Sequence, residues 1–267
     1  MKTINFFSAC TNLIRPPNPS SSAKDMHYED FIIPFLFFSL YSSPNASAEI
    51  LTGRRGFIKE NQDALDELVK TMGYRFKIRG DELRQSADVS RFLVEPLTRA
   101  DYTYISDIDI LITEEGIENY YEEIFKEIDL PYSNVQRKGH SLLTGTFCAD
   151  TKRYYRKEMK ENMGIYIEKN LRGVRDESVL YDIMFSAHPL PTKEMNDNVE
   201  RYRPIHGIHT SLSRNPRAPK YQPNAPTWDM TPEKVKRFEK ISKSEEYKKI
   251  YPHFTERYKN ILNEIYL

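Results

Sequence analysis

The chain has 267 residues, with 39 Lys and Arg against 39 Asp and Glu and a formal net charge of zero. That length supports one sizeable α/β domain with or without a small appendage, and the charge balance removes the global field that draws a protein to nucleic acid. No apolar run reaches the length of a transmembrane helix; the strongest, Phe31–Tyr41 (FIIPFLFFSLY), is short and carries Pro34.

In chain order, Ile4–Ala9 reads as a buried strand and Thr11–Ser22 as a Pro/Ser/Asn-rich loop. Tyr28–Tyr41 reads as a buried helix with Pro34 near its start, ended by Ser43-Pro44-Asn45. Ala48–Thr52 is a short strand. Glu60–Met72 is an amphipathic helix with Leu65, Leu68, Val69 and Met72 on one face and Gly73 as its stop. Tyr74–Ile78 is a third strand. The β-α-β-α-β alternation signals a mostly parallel sheet covered by helices. Ser86–Pro96 follows as a helix, then the apolar run Tyr102–Ile112, strand-like in its first half, then a helix over Gly116–Ile128. Ser141–Cys148 reads as a strand, and Lys152–Asn162 and Asp176–Phe185 as helices. Arg203–Lys220 reads as a loop rich in Pro, His, Arg and Ser. A C-terminal helical segment opens at Thr231 with Pro232 in its first position; Val235, Phe238 and Ile241 form its apolar stripe, Pro252 breaks it, and a last helix runs toward Leu267. The expected division is a domain over 1–225 and a helical extension over 226–267.

Cys10 and Cys148 sit in no metal-binding pattern and fit a reduced compartment. The N-terminus lacks a basic region followed by an apolar one, so the expected location is cytoplasmic. Lys234, Lys236, Arg237, Lys240, Lys243, Lys248 and Lys249 are interleaved with Glu. They make a solvated helix face, or a peripheral contact with the inner face of an anionic membrane.

Asp107 and Asp109 interrupt an otherwise apolar run. Carboxylates near the end of a buried strand are expensive to leave unpaired, and two of them one residue apart project to the same face of a strand. If the chain turns there, both reach one hard cation, for which oxygen ligands favour Mg²⁺ or Mn²⁺ bridging to a substrate phosphate. The plainer roles are a helix cap or an Arg pair.

The stretch Asp88–Ile112 (DVSRFLVEPLTRADYTYISDIDILI) resembles the central block of GT-A glycosyltransferases, in which an Arg-aliphatic-x-x-Pro helix precedes a strand ending in DxD. Arg91, Phe92, Leu93 and Pro96 occupy the matching places, and bacterial polysaccharide-assembly enzymes of the O-antigen and capsule type are particularly similar. Further similarities follow in order. Pro131-Tyr132-Ser133-Asn134 and Leu143-Thr144-Gly145-Thr146-Phe147 look like the segment that shapes the acceptor and sugar pocket. Asp176-Glu177, before Leu180-Tyr181, looks like the acidic pair opening a later helix, and Ile205-His206-Gly207-Ile208-His209 like the late His completing a metal site. The likeness spans roughly residues 85 to 215.

The resemblance implies an α/β, GT-A-like fold and transfer of a hexose from a nucleoside-diphosphate sugar, UDP-linked by expectation. The acceptor would be a hydroxyl of a glycan or lipid-linked glycan in cell-surface polysaccharide (lipopolysaccharide or capsule) synthesis. Asp107, Asp109 and His209 would hold Mn²⁺ or Mg²⁺. His209 is preferred because Gly207, just before it, lets the backbone approach a ligand closely, and neutral imidazole suits Mn²⁺. His206 is a candidate for the diphosphate, and the rigid fork of Arg91 suits either phosphate or a carboxylate behind the metal ligands, although a loop histidine and a surface ion pair are the ordinary alternatives. Arg214 and Lys220 could cover phosphate charge. Ala9, Cys10 and Thr11, at the carboxyl end of the first strand, are candidates for the base and ribose. Asp176 and Glu177 either complement a helix dipole or supply chemistry, with Glu177 as general base and Asp176 as a sugar-hydroxyl contact.

Two other classes fit parts of the sequence. Nucleotidyltransferases also carry an SDIDILI-like signature, matched by Ser106–Ile112, but need a Gly-Ser pair upstream, where Thr98–Tyr104 reads TRADYTY. A non-catalytic glycan-binding protein on the same fold would keep the carboxylates without turnover.

Overall fold

The computed structural model describes residues 1–11, 27–80, 82–171, 173–211 and 228–266. Its centre is a six-stranded sheet in the order β3-β2-β1-β4-β7-β6. The strands are β1 (Ile4–Cys10), β2 (Ala46–Thr52), β3 (Phe76–Gly80), β4 (Tyr102–Ile105), β6 (Tyr132–Ser133) and β7 (Phe147–Asp150). The first four run parallel; β7 is antiparallel to β4, and β6 to β7. A separate antiparallel pair joins β5 (Ile110–Leu111) to β8 (Ile208–His209).

β1 is buried along its whole length, as a central strand covered on both faces must be. The Ile32–Tyr41 helix is apolar nearly all round and correspondingly buried, Pro34 falling in its first turn. A 3₁₀ turn, Tyr28–Phe31, precedes it. The amphipathic helix Gln62–Met72 buries Ala64, Leu65 and Leu68 and stops at Gly73, whose φ is 77°. At the C-terminus Thr231 caps the Pro232–Ser242 helix by accepting from the Lys234 amide. Helices Glu245–Ile250 and Glu256–Tyr266 follow. Phe38 stacks on Phe238, Phe37 meets Tyr247 and Phe31 meets Tyr258 edge-on, so these helices share the apolar core of the sheet. The result is the expected α/β architecture: a mostly parallel sheet flanked by helices, with helices at the C-terminus.

Local differences from the sequence reading have physical causes. The run Tyr102–Ile112 is two strands, because the chain turns at Asp107 and the Ile110 amide returns to the Asp107 carbonyl. The strand expected over Ser141–Cys148 begins only at Phe147; Leu143 makes a single bridge to Gln136. The expected Lys152–Asn162 helix is split into Thr151–Tyr154 and Lys157–Ile167, with Arg156 extended and its guanidinium donating to the Ala187 carbonyl. The first C-terminal helix ends at Ser242, ahead of Pro252. Cys10 and Cys148 are free, buried thiols on strands separated by β4.

No described helix is long and apolar enough to cross a membrane.

Candidate metal centre

Strand β4 ends at Ile105, opposite Phe7 in the middle of β1. There Ser8 donates its hydroxyl to the Ser106 carbonyl at 2.9 Å, and the Ser106 amide reaches the Phe7 carbonyl at 3.1 Å. These bonds fix where the next turn begins, and that turn carries Asp107 and Asp109. After it, β5 pairs with β8, putting Ile110 opposite His209 and Leu111 opposite Ile208. Thr210, the next residue, donates both amide and hydroxyl to the Asp109 carbonyl at 2.8 Å. Residues about a hundred positions apart in sequence thereby share one short ladder.

Gly207 permits this approach. It has φ of 80°, and a Cβ there would stand 2.5 Å from the Leu111 carbonyl oxygen, which no side chain tolerates. The close approach expected of Gly207 therefore serves β5, not a ligand.

Side-chain ligand atoms of Asp107, Asp109 and His209 lie within 4.8 Å of one another. His209 Nε2 is 3.0 Å from Asp109 Oδ1 and 3.8 Å from Asp107 Oδ2. The Asp109 side chain is only 4% exposed, and its Oδ1 lacks a geometrically sound hydrogen bond despite the nearby imidazole. A buried carboxylate oxygen without a donor is costly. Two carboxylates and an imidazole converging on one point form a donor set that a divalent cation would satisfy. The residues present fit Mn²⁺ or Mg²⁺.

Behind the cluster stands Arg91, on the Ala87–Leu93 helix and 3% exposed. One terminal nitrogen pairs with Asp107 Oδ1, and the other with Asp176 Oδ2 at 3.0 Å. The guanidinium is thus a fork joining the DxD turn to the start of the Asp176–Ala187 helix. Gly145 closes over it: a Cβ at that position would lie 3.0 Å from Arg91 Nη2 and 3.4 Å from Asp176 Oδ2. Burial raises the Asp176 carboxyl above its ordinary range, with Arg91 opposing and Asp107 adding to the rise. Glu177 is buried and held by Arg137, whose Nε donates to Oε1 at 2.9 Å, with Arg175 3.6 Å from the other oxygen.

Not every candidate is brought to this point. His206 packs its ring against Tyr104, Tyr120 and Tyr121, at centroid distances of 5.9, 5.3 and 5.7 Å, away from the ligand cluster. Burial lowers its pKa to about 4, so it is neutral at pH 7. Ala9 is buried at the end of β1 and Thr11 is partly exposed just beyond it. Arg214 and Lys220 lie outside the described residues. Sequence reasoning did not single out Thr210, Glu114 or Arg137. Each acts through a backbone or ion-pair contact formed only when distant segments meet, and no local pattern marks them.

No protein-family model and no curated protein matches the sequence. Among solved structures, the chain is similar to the glycosyltransferase GlyE of Streptococcus pneumoniae TIGR4 in its apo form, at 14% identity and a TM-score of 0.44 over 73% of this chain and 46% of that one. It is also similar to the bifunctional glycosyltransferase WbbM, at 10% identity and a TM-score of 0.48 over 94% of this chain and 52% of that one. A third similar structure is 4-diphosphocytidyl-2C-methyl-D-erythritol synthase of Anaerococcus prevotii DSM 20548, at 8% identity and a TM-score of 0.40 over 74% and 96%. The chain spans about half the length of the two glycosyltransferases. Each score lies below one half, so the chemistry of the site rests on this chain's own residues.

Proposed function

We propose that this protein is a metal-dependent glycosyltransferase that moves a sugar from a nucleoside-diphosphate sugar, UDP-linked in our reading, to a hydroxyl of a glycan. The observation that carries this is the convergence of Asp107, Asp109 and His209 around a buried, unsatisfied carboxylate oxygen. These three residues would hold Mn²⁺ or Mg²⁺, which when bound supplies positive charge to the leaving diphosphate. Arg91 orients Asp107 from behind and holds Asp176 in the same grip. In this reading Glu177 takes the proton from the attacking hydroxyl and Asp176 contacts a sugar hydroxyl. In this reading the nucleotide lies outside the carboxyl end of β1, as it does in parallel sheets, with Ala9 and Thr11 as its candidate contacts. The expected setting is cell-surface polysaccharide synthesis.

We do not extend this function to membrane attachment. Lys234, Arg237, Lys240 and Lys248 pair with Asp229, Glu114, Glu115 and Glu245, which leaves less uncompensated charge for an anionic surface than the sequence suggests.

The test is a donor screen by nucleotide release, with UDP-, GDP- and dTDP-sugars and with ATP, each with and without Mn²⁺. Consumption of a nucleotide-sugar that needs Mn²⁺ and is lost in Asp109→Ala is the expected result. Consumption of ATP with pyrophosphate release would replace the assignment with nucleotidyl transfer. Mn²⁺ binding without turnover of any donor would leave a glycan-binding protein.

A further inference from the structure

The β5–β8 ladder that carries His209 has two rungs, too few to be stable alone. Thr210 closes one end on the Asp109 carbonyl. At the other end, Glu114 follows β5 and Gly207 precedes β8, and Glu114 Oε2 accepts the Gly207 amide at 2.6 Å. The Glu114 side chain is 13% exposed and is itself held from outside: Arg237 Nη1 lies 3.3 Å from Oε1. Arg237 belongs to the Pro232–Ser242 helix, and one turn on Lys240 reaches Glu115 at 2.8 Å. A continuous set of contacts therefore runs from the C-terminal helix through Glu114 and Gly207 to His209.

We propose that Glu114 is a positioning residue for His209, and that Arg237 couples the C-terminal helical extension to the metal centre through it. This rests on the reading of Asp107, Asp109 and His209 as cation ligands. Glu114 touches neither the cation nor substrate; it sets the register and height of the strand from which the imidazole projects. Partners of metal ligands commonly change affinity 10–100-fold when removed.

The experiment uses the full chain and its Glu114→Ala, Glu114→Gln and Arg237→Met variants. Mn²⁺ affinity is measured by electron paramagnetic resonance, and amide exchange over residues 207–210 by mass spectrometry. Glu114→Ala is expected to weaken Mn²⁺ about 10–100-fold and to speed exchange at 207–210, with β1–β4 unchanged. Glu114→Gln keeps an acceptor for the Gly207 amide and is expected to recover most of the affinity. Arg237→Met should fall between, and it serves with Glu114→Gln if the alanine variant does not fold. Wild-type affinity and exchange in both Glu114→Ala and Arg237→Met would overturn the proposal. If the wild type binds neither Mn²⁺ nor Mg²⁺, the ligand assignment fails, while the exchange comparison still decides whether Glu114 holds the strand.

Discussion

Thr210 donates its amide and its hydroxyl to the backbone carbonyl of Asp109, each at 2.8 Å. The carbonyl is tied on both lone pairs while the carboxylate of the same residue is left without a sound hydrogen bond on one oxygen. The fold directs its donors to the backbone of Asp109, which on the proposed assignment leaves its side chain for a cation. Thr210→Val keeps the amide and loses the hydroxyl. It is expected to cost about 1 kcal/mol, lowering Tm by ~2–4 °C, and to weaken Mn²⁺ binding. Thermal unfolding and metal titration on one preparation check both effects.

Asp109→Asn removes the charge but keeps the shape. Mn²⁺ affinity is expected to fall more than it does on loss of a group behind the ligands, which costs about 10–100-fold, with Tm in chelator unchanged or raised, because a buried carboxylate with an unsatisfied oxygen is costly without its cation. Isothermal titration with Mn²⁺ reads the first effect. Wild-type affinity in this variant would remove Asp109 from the ligand set.

Two glycines with nearly equal φ, 77° at Gly73 and 80° at Gly207, separate backbone strain from collision. A Cβ at Gly73 meets nothing within 4 Å, whereas one at Gly207 meets the Leu111 carbonyl. Gly73, at φ 77° and ψ 167°, sits where only glycine is at ease, so Gly73→Ala should cost roughly 1–3 kcal/mol from strain alone, and Gly207→Ala more, because its Cβ also collides. Gly207→Ala should also lose Mn²⁺ affinity. Chemical denaturation of the pair gives the comparison.

Glu177→Gln and Asp176→Asn test the division of labour at the helix start. A general base at Glu177 predicts a kcat loss of about 10²–10⁴-fold with little change in KM. Asp176→Asn should instead raise KM and disturb Arg91, which loses one of its two acidic partners. Steady-state kinetics with the donor found in the screen distinguishes them. Equal kcat losses in both would make the two acids one functional unit.

Stability should fall as the solution is acidified from pH 6.5 toward 4. Burial lowers His188 and His206 to about 4 from the ordinary 6.5. In that window the unfolded chain binds protons that the folded chain refuses, so stability is fully present above 6.5 and is lost progressively down to about 4. His206→Phe fits among Tyr104, Tyr120 and Tyr121 and should flatten the dependence. Thermal unfolding across pH 4–7 checks it, an unchanged slope counting against His206.

The parallel half of the sheet was legible because it is built from local signals: apolar strands, an amphipathic helix and the Gly73 stop. The Ile4–Ala9 strand and the Glu60–Met72 helix were placed within a residue or two at each end. Asp107 and Asp109 stood out for the same kind of reason, as charges inside an apolar run. The pairing of β5 with β8 did not, because two-residue strands have no periodicity to detect. The split at Tyr155-Arg156 depends on Arg156 reaching Ala187, a contact that no window around Arg156 contains. His206 and His209 looked alike in sequence; the neighbours that separate them, three tyrosines for one and two aspartates for the other, come from other parts of the chain.

The distance in sequence between the aspartate turn and β8 has a consequence for biosynthesis. A nascent chain that has emerged as far as residue 200 already contains both aspartates but lacks the imidazole and the strand that carries it. Closing so long a loop on two rungs is entropically costly, and contacts of this kind form late. On the proposed ligand assignment, tight cation binding would report that synthesis has passed β8, and a product truncated before it would be unable to retain the ion.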